Sequence, residues 1–385
     1  LGNGANNNSL LPVKSFENAV QLASGSNQSI AIKNDSTVWA WGDNTVPPYS
    51  VTTYPTHRDG IIDTLILCKG TTTEYDPNEP TYQLGIADNT VTSVNTPQMV
   101  VKGNTINAKP ENFSENMMKY GIISTRGSHT VMYSTRYGTV WSWGSNLHNK
   151  VSAKSDEYVD VATQVELSEN TALTNVVKIA AGESHALALT ADGKVYAWGG
   201  GEKGQLGNGY NEDSNYPVPV NGITNAVDIA AGENHSVALM ADGTVYAWGS
   251  NESGQIGHQQ KASSVYGTNA SEHYNVPVIV TDFAETKHLE SIVGISAGGN
   301  HTSALTTGGV VYTWGRNVNS QLGMNDTNPA DRYDVPREVL GDAGSEFKYN
   351  VAKISAGDEH TAALSQNGNV WTWGYNYYGR LGDGS

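Results

Sequence analysis

A pentapeptide, Ala-Gly-x-x-His, recurs along this chain, and a Trp-Gly pair follows each histidine at a nearly fixed distance. The fullest copy runs Ile179-Ala-Ala-Gly-Glu-Ser-His185, then Ala-Leu-Ala-Leu-Thr-Ala-Asp-Gly193, Lys-Val-Tyr-Ala-Trp-Gly199 and Gly204-Gln-Leu-Gly207. Further copies pair His235 with Trp248, His301 with Trp314 and His360 with Trp373, each 13 residues apart. Looser ones pair Gln28 with Trp41 at the same spacing and His129 with Trp143 at 14. A self-similar period of this length marks a fold assembled from repeated supersecondary units. The interval from Gly42 to Gly144 is twice the usual one, so a degenerate repeat is expected at about 61–118. There Tyr82 stands at the His position and Val94 at the Trp position.

Within a unit the hydrophobic alternation has period two, the signature of strands. Ile179 to Gly182, His185 to Thr190, Val195 to Trp198 and Tyr216 to Val220 read as four strands. Asp192-Gly193 reads as a tight primed hairpin turn, and Pro217 suits an outer edge strand. Four antiparallel strands per unit, repeated radially, make a propeller blade. The expected fold is therefore all-β, a seven-bladed β-propeller with four-stranded antiparallel blades, forming one domain over residues 1–385. Gly379-Arg-Leu-Gly382 ends the chain, and Leu1-Gly-Asn-Gly4 with Leu11-Pro12-Val13 opens it. The N-terminal strand is thus expected to complete the last blade and close the ring. The motif-internal ends suggest excision from a longer chain.

Aromatic pairs two residues apart, such as Tyr196/Trp198 and Trp371/Trp373, share one sheet face. Because Trp41, Trp143, Trp198, Trp248, Trp314 and Trp373 recur in every copy, they are expected to fill the space between adjacent sheets. The histidines His129, His185, His235, His301 and His360 come from different blades and cannot converge on one metal ion. A structural role at the start of the second strand, bonding neighbouring backbone, is expected instead. Gln28 and Tyr82 keep hydrogen-bonding capacity at that position but not the ligand chemistry.

The combined pattern resembles the regulator of chromosome condensation repeat, in a bacterial member. The resemblance implies a seven-bladed propeller closed by sharing one blade between the termini. Relatives of that kind include exchange factors for Ran-type GTPases and a bacterial protein inhibitor of β-lactamases. They share a binding scaffold rather than an active site.

Charge narrows the partners. With 22 Lys+Arg against 38 Asp+Glu the formal charge is −16, which disfavours nucleic acid and anionic lipid. No apolar run approaches the ~20 residues of a membrane helix. Cys68 is the one cysteine, which excludes internal disulfides and multi-thiolate zinc sites. Gly199-Gly-Gly-Glu-Lys-Gly204 lacks the Walker spacing. No nucleophile elbow, zincin motif or calcium loop occurs. The chain is read as non-enzymatic, with no catalytic residue, cofactor or metal. Acidic loops at Asn211-Glu-Asp213 and Asn325-Asp326 are read as solvated.

Strand order puts the Gly182–His185 turn and the loop after Trp198-Gly199 on one side, with the short Asp-Gly hairpins opposite. Loop length varies on the first side: Gln255 to Pro277 exceeds Gln205 to Pro217, and Gln321 to Pro336 lies between them. The degenerate repeat adds Thr71 to Pro80 there. Variable loops on a stiff frame are where binding resides. The candidate partner-binding residues on this side are Tyr75, Glu183, Glu202, Glu233, Glu252, Tyr266, Asp358, Glu359, Tyr375, Tyr377 and Tyr378, with Tyr49 nearby. They suggest a protein partner with a basic patch, bound by a monomer of an extracellular or cell-surface protein, the alternative location being cytoplasmic. Carbohydrate binding and guanine-nucleotide exchange are the competing functions.

Overall fold

The computed structural model describes residues 19–24, 28–33, 38–43, 93–99, 121–127, 129–135, 138–151, 158–169, 171–258, 272–281, 288–324, 330–340, 347, 349–377 and 380–381. Each repeat becomes an antiparallel meander because short β-branched and aromatic runs are separated by Gly-rich turns. The first sheet holds β1 (Ala19–Ser24), β2 (Gln28–Lys33), β3 (Val38–Asp43) and β4 (Ser93–Met99). The second holds β5 (Gly121–Arg126), β6 (His129–Ser134), β7 (Val140–Ser145) and β8 (Tyr158–Gln164). A short ribbon follows, β9 (Glu166–Ser168) with β10 (Thr171–Ala172).

The third sheet is β11 (Val176–Ala181), β12 (His185–Thr190), β13 (Val195–Gly199) and β14 (Ser214–Pro219). The fourth is β15 (Ala226–Ala231), β16 (His235–Met240), β17 (Val245–Ser250) and β18 (His273–Ile279). The fifth is β19 (Ile292–Ala297), β20 (His301–Thr306), β21 (Val311–Arg316) and β22 (Arg332–Glu338). The sixth, among the described residues, has three strands: β23 (Val351–Ala356), β24 (His360–Ser365) and β25 (Val370–Gly374).

One expectation is corrected here. Val94 does not sit in the tryptophan strand of a separate repeat: it pairs with Gly42, and Met99 pairs with Trp39, so β4 is the outer strand of the first sheet. The same register recurs in Gly199↔Ser214 with Tyr196↔Pro219, and in Gly249↔Tyr274 with Tyr246↔Ile279. The responsible signal is Pro97 followed three residues later by Val100, matched by Pro217/Val220, Pro277/Val280 and Pro336/Val339. A proline cannot donate to a ladder and therefore belongs on an edge strand. The described residues form six such sheets. Ile61 to Cys68, Tyr82 and the first dozen residues, on which the seventh repeat and the closure rest, lie outside them.

The chain divides into two compact units within β11, between Ile179 and Ala180. In the first, β1 lies against β5. The ribbon joins the second sheet through Val165 N–H to Val140 O at 2.9 Å.

In the second unit the cores of the third, fourth and fifth sheets are each closed by the sheet that follows. Trp248 of the fourth sheet is buried with Leu187, Leu206 and Val220 of the third. Trp314 of the fifth is buried likewise with Val237, Ile256 and Val280 of the fourth. Both tryptophans are 0% exposed, so these rings fill the space between sheets and offer no platform to solvent.

The hairpins opposite the long loops differ from the expected primed turn. Thr190 N–H donates to Lys194 O and Gly193 N–H to Thr190 O, giving a three-residue loop. Gly193 has φ +78 while Asp192 is not in the left-handed region. A type I turn followed by a left-handed glycine has this form, because it leaves a bulge that suits the strand twist. The glycine also serves the neighbouring sheet: Ala226 N–H donates to Gly193 O at 3.0 Å, and a β-carbon at Gly193 would lie 2.7 Å from the Asn225 backbone.

Candidate partner-binding face

The long-loop side starts from the residues that follow each histidine. His185, His235 and His301 are buried, and their Nε2 atoms lie 2.8, 3.0 and 2.9 Å from the hydroxyls of Ser236, Thr302 and Thr361 in the next sheet. Those hydroxyls donate to the carbonyls of Gln205, Gln255 and Gln321, each at 2.9 Å. A hydroxyl has one proton, so each histidine must donate through Nε2–H. The indole N–H groups of Trp248, Trp314 and Trp373 converge on the same three carbonyls at 2.9, 2.9 and 3.0 Å. One carbonyl of each of the third, fourth and fifth sheets therefore receives two donors from its successor. The histidines reach neighbouring backbone through a hydroxyl, not directly as expected.

The signal for the relay was present in the sequence, in Ser29, Thr130, Ser236, Thr302 and Thr361, each directly after the His or Gln position. His129 lies in β6. Trp41 and Trp143 lie opposite Ser29 and Thr130 in their ladders.

The Ala-Gly-x-x-His turns are joined main chain to main chain. Glu183 N–H donates to Glu233 O at 3.1 Å, Glu233 N–H to Gly299 O at 3.0 Å and Gly299 N–H to Asp358 O at 3.1 Å. The approach is close enough that a β-carbon at Gly232 would meet the His235 ring and lie 2.6 Å from Gly298 O. Glu183 and Glu233 are half-buried in this seam, and the Glu233 carboxylate accepts from Asn300 Nδ2 at 2.7 Å. They are less available to a partner than a solvated acidic face would be.

The outer loops supply the accessible groups. Glu202, Glu252 and Asp358 are exposed and Glu359 is half-buried. Lys203 Nζ pairs with Glu252 at 2.6 Å, which raises the lysine's pKa. Arg332 pairs with Asp334 at 3.2 Å. The Tyr375 and Tyr377 rings stack at 5.9 Å with 10° between their planes, and the Arg380 guanidinium lies 4.9 Å from the Tyr375 centroid. Tyr377 is 57% exposed. The structure thus brings Asp358, Glu359, Tyr375 and Tyr377 to one sheet, the sixth, while Tyr49, Tyr75, Tyr266 and Tyr378 lie outside the described residues. Among the described residues no group of three or more His, Cys, Asp or Glu is placed to hold a metal ion.

His360 reports on this corner. Burial pushes its pKa below the ordinary histidine range, and the Arg380 charge adds to that, against a smaller opposing pull from Asp358. The folded state therefore favours the neutral ring. The resulting stability is fully present above about pH 6.5 and is lost as pH falls through the depressed folded value. His360→Gln, using the residue found at position 28, should narrow its stability gap to the parent protein as pH is lowered from 7.5 to 5. Urea unfolding midpoints at the two pH values check this.

The model of the RCC1-like domain matches residues 78–385. The chain belongs to the RCC1-like domain family. It is 35% identical over 215 residues to the Ultraviolet-B receptor UVR8 of Arabidopsis thaliana, covering 54% of this chain and 43% of the receptor. It is 38% identical over 309 residues to a bifunctional serine/threonine-protein kinase/NEDD4-like E3 ubiquitin-protein ligase of Dictyostelium discoideum, covering 70% of this chain and 16% of that protein. This chain therefore spans less than half the length of either relative. The fold is shared with Prp20p of Saccharomyces cerevisiae, at a TM-score of 0.66 and 21% identity, covering 95% of this chain and 74% of that one. RCC1-like domains serve mainly in interaction and exchange. Where a relative is a ligase, the RCC1-like match takes up a small share of it.

Proposed function

We propose that this RCC1-like chain is a non-enzymatic protein-binding module that engages its partner through the long-loop side. The observation that carries the reading is the stacked Tyr375–Tyr377 pair, with Arg380 over half-buried Tyr375 and Tyr377 exposed, on loops whose bases are fastened sheet to sheet. Tyrosine and arginine are enriched at interface hot spots, and tyrosine gives large contact area at low entropic cost. The exposed carboxylates of Glu202, Glu252 and Asp358 favour a partner with a basic patch, in keeping with the −16 charge. Low charge density and abundant Asn, Thr and Tyr suit an extracellular or cell-surface setting. The solved structure of Prp20p is described with its binding to Gsp1p and histones, which supports protein recognition as the common use of the fold.

Tyr377→Ala should weaken partner binding by tenfold or more, on the scale of a hot-spot truncation. Asp192→Ala, on the hairpin side, should leave affinity unchanged. Surface plasmon resonance against the captured partner at low and high salt measures both. An equal effect from the two variants would remove the long-loop side from consideration. Glycan-array binding or catalysed nucleotide release would move the reading to the competing functions.

A further inference from the structure

Four Asn-Gly pairs occur in the chain, at Asn3-Gly4, Asn208-Gly209, Asn221-Gly222 and Asn367-Gly368. The first lies outside the described residues. Such a dipeptide carries a chemistry of its own. The glycine nitrogen can attack the asparagine side-chain carbonyl, and glycine leaves that approach unshielded because it has no β-carbon. In a folded chain the reaction needs a carboxamide free to turn, an N–H not held by an acceptor, and room for the turn to move.

At two pairs the structure withholds these conditions. Gly209 N–H donates to Asn275 O at 2.8 Å, and half-buried Asn208 accepts from Tyr210 N–H at 3.1 Å. Gly368 N–H donates to Ser365 O at 3.1 Å, and the Asn367 side-chain oxygen accepts from the Ser365 hydroxyl. Asn221 and Gly222 differ. Both are exposed in the turn between β14 and β15. Neither the Asn221 carboxamide nor Gly222 N–H has a hydrogen-bond partner among the described residues. A β-carbon at Gly222, where φ is +73, would meet nothing within 4 Å. The flanks are nonetheless fixed. Asn221 N–H donates to Gly207 O and Val220 N–H to Val195 O, each at 2.9 Å, and Ile223 is 3% exposed in the core that holds Trp248.

We propose that Asn221 is a self-modification site, deamidated through Gly222 with water as the only other reactant. The Gly222 nitrogen bonds to Asn221 Cγ as the Cγ–Nδ2 bond breaks, and the displaced amide leaves as ammonia, carrying the Gly222 proton. Water then opens the cyclic imide. Opening at Cγ leaves aspartate, and opening at the main-chain carbonyl carbon leaves isoaspartate; either product adds one negative charge to the −16. Isoaspartate also puts one more atom into the main chain, between the fixed points Val220 and Ile223. That lengthening falls on the connection from the third sheet to the fourth, so the reaction marks aged molecules at a joint of the frame.

The test holds the purified, folded chain at mildly alkaline pH and physiological temperature in heavy-oxygen water, with peptide mapping by mass spectrometry following each pair. Asn221 is expected to convert at least about tenfold faster than Asn208 and Asn367, which must first give up a hydrogen bond. Its products should each carry one heavy oxygen atom, with isoaspartate the more abundant. In concentrated urea the rates of the three pairs should converge. Asn221→Gln, whose longer side chain closes a ring less readily, should lose the conversion at this position while melting like the parent chain. Equal rates at the three pairs in the folded chain, a rate difference that persists in urea, or aspartate without isoaspartate would each overturn the proposal.

Discussion

Trp248→Ala is expected to destabilise the protein by about 4 kcal/mol, within the range for emptying a buried tryptophan site. The side chain is 0% exposed and lies in the core of the preceding sheet, against Leu187, Leu206 and Val220. Its indole N–H also supplies one of the two donors on Gln205 O, the other being Ser236. Trp248→Phe should recover part of the loss by refilling the volume while leaving the carbonyl with one donor. Urea titration by far-ultraviolet circular dichroism measures both variants. A loss below about 1 kcal/mol for Trp248→Ala would mean that the sheets are not held together through these rings.

Gly232→Ala is expected to cost about 3 kcal/mol, at the upper end of overpacking effects. The added methyl would collide with the His235 ring and stand 2.6 Å from Gly298 O, a main-chain atom of the next sheet's turn. Neither can withdraw easily, because the ring is held to Thr302 through Nε2 and Gly298 N–H is bonded to His301 O. Gly294→Ala is the control. That glycine lies in β19 with Leu305 Cβ at 3.8 Å from the added atom, so alanine should be neutral or slightly stabilising. If the two substitutions behaved alike, close approach of the turns would not explain the Ala-Gly-x-x-His glycines.

Strand content and order were legible because the alternation around His185 to Thr190 and Val195 to Gly199 leaves little choice of period. The outer strand of the first sheet was less so. Spacing alone assigned Val94 to a further repeat, whereas the Pro97 edge signal places it opposite Gly42. The Asp192-Gly193 dipeptide does not say how many residues the ladder leaves unpaired; the Thr190–Lys194 bond does, and makes the loop three residues long. The histidines were recognised as structural, yet their partners were not, since a hydroxyl in another sheet is invisible until the register between sheets is known. Tyr375 and Tyr377 were legible as site candidates from composition.

The His–hydroxyl–carbonyl relay carries a consequence for how such proteins change over time. From the third sheet to the fifth each copy presents the same acceptor to its successor, and from the fourth to the sixth the same donors to its predecessor, as in His185–Ser236–Gln205 and His235–Thr302–Gln255; the third copy has Ala186 in place of the hydroxyl. A whole unit gained or lost by in-frame duplication would bring a matching coupling at both junctions, so copy number could drift without any new joint having to be invented.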